Sequence, residues 1–108
     1  MAAFLIVHRR DITDSDKLKR YAQGVEGTID AFGGEVVVRS DNFDVLEGNW
    51  RPGKKDLDAR PERITVVKFP DMAALQSWYE SDAYAEFKAI RQSSSNSDVV
   101  AVQGDDIA

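Results

Sequence analysis

Ala3-Phe4-Leu5-Ile6-Val7-His8 decides how the rest of the chain is read. The run is too short for a helix of ordinary length, and its branched and aromatic residues favour a strand. Strand side chains alternate, so Phe4, Ile6 and His8 share one face while Leu5 and Val7 share the other. Both faces are therefore apolar, and such a strand has to be covered on both sides. A chain of 108 residues has helices enough for one cover. The second cover points to another copy of the chain.

Outward from this strand, Thr13-Asp14-Ser15-Asp16 starts a helix with Asp14 as its cap. Leu18, Tyr21, Ala22, Val25, Ile29 and Phe32 follow at three- and four-residue steps, forming one apolar stripe. Gly33-Gly34 ends that helix. Gly24 and Gly27 lie inside it and either permit a close approach to the sheet or are merely tolerated. Residues 35–39 read as a strand, and residues 43–47 as its hairpin partner after a Ser40-Asp41-Asn42 turn. Residues 48–62, with glycine, proline and four basic residues, read as a long irregular connection.

A further strand covers residues 63–69 and stops at Pro70. Asp71 then caps a helix that buries Leu75 and Trp78, and Ser81-Asp82 breaks it and caps the next, which carries Ala83, Phe87 and Ile90. Residues 99–102 form the last strand. With the hairpin treated as an embellished strand, the order is an α+β, ferredoxin-like β-α-β-β-α-β fold with an antiparallel sheet. Right-handed crossovers put both helical segments on one face of it. Residues 1–103 make one such domain, with 53–60 as a loop insertion and 104–108 as a tail.

Composition removes several functions. The 14 Lys and Arg against 19 Asp and Glu leave a net charge of −5, the wrong sign for a nucleic-acid backbone partner. There is no cysteine, hence no disulfide, thiolate nucleophile or cysteine zinc site, and the single His8 excludes a site needing two imidazoles from one chain. The opening apolar run is too short for a membrane span or signal core, so the expectation is a cytoplasmic protein without a membrane partner. No GxxxxGK[ST], GxGxxG or GxSxG motif occurs, and Asp41-Asn42-x-Asp44 lacks the other ligands of a calcium loop. No metal or other cofactor is indicated.

Tyr21, Gly33-Gly34, Arg39, Val45-Leu46-Glu47-Gly48-x-Trp50-Arg51-Pro52, Phe69-Pro70, Trp78-Tyr79-x-Ser81-x-x-Tyr84 and Arg91 occur in an order and spacing that resemble domain-of-unknown-function family 1330, of the dimeric α+β barrel superfamily. The resemblance spans nearly the whole chain and implies a homodimer, paired through the open sheet face. It names no reaction. Residues 53–60 depart from it, being longer and more charged than the usual link.

Candidate chemistry gathers in three places. Arg39 and Glu47 fall at the ends of neighbouring expected strands, with Trp50 and Arg51 a turn away. Together they can bind a small ligand with a polar head and an apolar body, or form a structural ion pair with Trp50 packed over it. His8 at a strand end, or Glu47 in a dry pocket, can serve as a catalytic base; the plain alternative for His8 is a hydrogen-bonded strand-end residue. Tyr84 and Arg91, two helical turns apart, can line a cleft with Tyr79, and Tyr21 can bring its hydroxyl to the cleft edge. Three functions stay open: a module binding a small organic ligand beside the sheet, a cofactor-independent enzyme of proton transfer or oxygenation, and a purely structural dimer.

Overall fold

The structure, a computed structural model, describes residues 1–10, 13–40, 42–48 and 63–105. A short side-chain oxygen starts each helix. Asp14 accepts from the Lys17 amide ahead of α1 (Ser15–Ala31), Asp71 from the Ala74 amide ahead of α2 (Met72–Tyr79), and Ser81 from the Tyr84 amide ahead of α3 (Asp82–Ser94). Gly33, at φ +79°, closes the end of α1 in the left-handed conformation that glycine adopts most readily.

Four strands, β1 (Ala3–Arg10), β2 (Glu35–Ser40), β3 (Arg63–Phe69) and β4 (Asn96–Gln103), form one antiparallel sheet in the order β2-β3-β1-β4. This is the expected ferredoxin-like α+β fold, with its second helix broken in two at Ser81. Apolar side chains of α1, Tyr21, Val25 and Ile29, bury against Leu5, Val7 and Val67 of the sheet, and Trp78 and Tyr84 complete the core.

Three expectations need correcting. The hairpin strand at 43–47 does not form: residues 42–46 have no regular structure and 47–48 bend. Phe43 instead sets its ring edge-on to His8, at a centroid distance of 6.4 Å, and Leu46 is 90% exposed. The last strand starts at Asn96 rather than 99, because β1 runs two residues past His8 and its Arg9 and Arg10 pair with Ser97 and Asn96. Finally, the close approach at Gly24 is made by α3, not the sheet. The connection at 53–60 lies outside the described residues.

A Cβ on Gly24 would run into the Phe87 ring, whereas one on Gly27 would meet nothing within 4 Å. The two glycines of one helix should thus respond oppositely to alanine. Gly27→Ala is expected to stabilise by roughly 0.5–1 kcal/mol through helix propensity. Gly24→Ala should cost about 1–3 kcal/mol as α1 and α3 are forced apart. Denaturant midpoints of the two variants check this; a shared sign would contradict the packing described.

The sheet face away from the helices carries a row that crosses all four strands: Val38, Val66, Ile6 and Val100. Phe4 and Val102 extend it. Val38, Val100 and Val102 are 42%, 54% and 41% exposed. At the far end the row through His8 turns polar, and Arg10 pairs with Asp98 at 3.0 Å.

Candidate functional site

Because β1 continues past His8, the alternation that sends Leu5 and Val7 under the helices sends Arg9 there as well. Its side chain is 5% exposed. It lines a small cavity between α1 and the sheet, about 30 Å³ in volume, walled by Leu5, Val25, Val36 and Val67. Polar groups converge on this apolar space: Arg9, Tyr21 and Thr65 within, with Arg39 and Arg63 toward the more exposed side.

The Arg9 guanidinium carbon stands 5.4 Å from the Tyr21 ring centroid, a cation–π contact. Its Nε has no hydrogen-bond partner among the described residues. Behind it runs a hydrogen-bonded chain. The Arg91 Nε donates to the Tyr84 hydroxyl at 3.2 Å, and the Tyr84 and Tyr21 hydroxyls share a hydrogen bond of 3.0 Å. Arg91 is 4% exposed. Two guanidinium groups are thus buried close together, and among the described residues neither forms an ion pair with a carboxylate.

That arrangement shapes the acid–base properties of the site. Burial holds the Arg9 guanidinium below its ordinary value, and the nearby charges of Arg63 and Arg91 act in the same direction while Tyr21 opposes them. Burial also lowers Arg91, but Tyr84, which accepts its hydrogen bond, together with Tyr21 and Tyr79 more than offsets this, for a net upward direction. Burial first, then Tyr84, pushes the Tyr21 phenol well above its ordinary value, so it stays protonated and serves as a donor or acceptor rather than a base.

The residues singled out from the sequence divide. Tyr21 and Arg39 line the cavity, and Tyr84 and Arg91 connect to it through the hydroxyl chain. Tyr79 and Arg91 also border a shallower polar pocket of about 250 Å³ between the end of α3 and β4, with Ser95 and Ser97. Tyr79 is half-buried under the Lys88 ammonium, 4.2 Å from its ring centroid.

Glu47 is exposed and lines neither pocket. The ion pair of Arg39 is made with Glu26 of α1, at 3.0 Å, and not with Glu47. Arg39 pairs with Thr65 in the sheet, so its side chain points under α1, away from the segment that carries Glu47. His8 sits on the opposite face of the sheet from the cavity, beneath Phe43. Trp50 and Arg51 lie outside the described residues. Arg9 was missed: ending the first strand at His8 left it outside any element, although the Leu5-Val7-Arg9 alternation carried the signal.

Among the described residues no helix is long and apolar enough to cross a membrane, and no cluster of acidic or histidine side chains could hold a metal ion. No curated protein matches the chain. Solved structures do. A protein of unknown function from Rhodopseudomonas palustris, RPA0582, is 15% identical at a TM-score of 0.67, over 94% of this chain and 82% of its own. SnoaB from Streptomyces nogalater, a cofactor-independent oxygenase, is 8% identical at a TM-score of 0.66, over 98% and 95%. A dimeric ferredoxin-like protein of unknown function from Jannaschia sp. CCS1 is 14% identical at a TM-score of 0.65, over 94% and 98%. At such identities the likeness is one of fold. Family membership rests on the sequence itself: the model for the domain of unknown function DUF1330 matches residues 2–105, and the chain belongs to that family.

Proposed function

We propose that the protein is a homodimer that binds a small organic ligand in the cavity between α1 and the sheet. The observation that carries this reading is the convergence of Arg9, Tyr21 and Thr65 on a space otherwise walled by aliphatic side chains. Binding sites combine apolar walls with a few placed polar groups in this way. A core serving only to hold the fold gains nothing from two buried guanidinium groups, since desolvating each costs several kcal/mol that a carboxylate partner would normally offset. At about 30 Å³ the cavity takes one small group, and the body of a larger ligand extends past Arg39 at the rim.

The dimer reading is supported by the apolar row across the open face and by the fold likeness to a dimeric protein. A second reading, a cofactor-independent enzyme acting on the same ligand, is favoured by one observation. Tyr21 lines the cavity, and its hydroxyl keeps its proton and is tied through Tyr84 to a buried cation. Such a donor can stabilise a developing oxyanion.

A thermal-shift screen of small organic metabolites tests the cavity. A ligand at 100 times its Kd stabilises by about 2.7 kcal/mol. Ala22, half-buried at the cavity wall, gives the control: Ala22→Phe fills the space and should abolish the shift. Shifts of equal size in both proteins, or no shift with any compound, would contradict the reading.

A further inference from the structure

The cavity is positively charged inside a chain whose net charge is −5. Arg9 is more than nine-tenths buried, faces the cavity and has an unpartnered Nε among the described residues. Arg91 lies close behind, its Nε donating to Tyr84, whose hydroxyl meets that of Tyr21. Like charges gathered in a place that water reaches poorly repel one another strongly unless an anion joins them. A second copy seated on the open face cannot supply it, because Arg9 projects from the opposite face, beneath the helices of its own chain. Among the described residues no carboxylate lines the cavity, so the counter-charge is left to something that enters it.

We infer that the ligand is a small organic acid whose carboxylate, or an equivalent planar oxyanion, is held in the cavity by the Arg9 guanidinium with the Tyr21 hydroxyl beside it. This rests on the ligand-binding reading above and adds the ligand's charge and the residue that reads it. A guanidinium presents its donors as a fork that matches two carboxylate oxygens, which an ammonium does not. The aliphatic walls contributed by Val25 and Val36 select an apolar body rather than a second charge. Arg39, already paired with Glu26, adds no free charge at the rim.

The experiment compares acids with amides of the same shape at matched ionic strength: propionate with propionamide, butyrate with butyramide, benzoate with benzamide. Melting temperature and amide chemical shifts are read on the full chain. The acids should raise the melting temperature and perturb α1 resonances, and the amides should do neither. Arg9→Gln should erase the difference between acid and amide. If that variant does not fold, Arg9→Lys serves: it keeps the charge without the fork, and the acid's advantage over the amide should fall about tenfold in affinity.

Equal binding of acids and amides to the unaltered protein would overturn the anion assignment and leave the ligand-binding reading standing. An Arg9 variant that keeps the full preference for acids would overturn it in the same way. Should neither series bind, and Ala22→Phe behave as the unaltered protein does throughout the metabolite screen, the binding reading and the anion assignment both fall.

Discussion

Ile6→Glu is expected to yield a folded monomer. Ile6 stands mid-row on the open face, between Val66 and Val100, and takes no part in the helix-side core. A carboxylate there meets an apolar partner surface when two copies join, yet reaches water freely when they separate. Burying an unpaired charge in such an interface costs several kcal/mol. A loss of about 4 kcal/mol weakens a dimer roughly a thousandfold. Light scattering should therefore show the variant at half the mass of the unaltered protein at the same concentration, with its circular dichroism retained. A variant of unchanged mass would place the dimer contact elsewhere.

Trp78→Ala should have the largest effect on stability within one chain. Trp78 is 1% exposed; its ring lies 4.0 Å from that of Tyr84 and 5.5 Å from that of Phe69, and its indole N–H donates to the Thr28 hydroxyl at 3.0 Å. Truncation removes a contact that joins α2 to α3 and to the sheet and leaves a cavity beside the one already present. Deletions of this kind cost about 3–5 kcal/mol. In a domain of this size that lowers the melting temperature by roughly 15 °C or more. Trp78→Phe keeps most of the volume and should lose less than half as much. A small effect from the alanine variant would mean that Trp78 covers the core without organising it.

Most of the fold was legible because its signals are local. Asp14, Asp71 and Ser81 cap where short oxygen-bearing side chains precede apolar periodicity. The double-faced character of β1 could be read from six residues. What could not be read depended on partners distant in sequence. Residues 43–47 have the composition of a strand, yet the open edge of β2 stays without them and Phe43 sets its ring against His8 of β1, a partner far away in sequence. Gly24 gives no local sign that Phe87, far along the chain, will press on it.

The site was half legible for the same reason. Tyr84 and Arg91 sit seven residues apart on one helix, so their pairing follows from helical geometry. That Tyr21 would meet Tyr84, and that Arg39 would turn to Glu26 rather than Glu47, follows from how α1 lies across the sheet. Arg9 needed only the alternation to be carried two residues further.

The proposed homodimer rests on a sheet with two apolar sides, one roofed by the chain's own helices and the other left for a second copy. The mass of the unaltered protein in solution, followed by light scattering through a dilution series, tests this most directly. Twice the 12.0 kDa chain mass is expected at micromolar concentration. A mass of one chain throughout the series, from a protein that stays folded and dispersed, would contradict it.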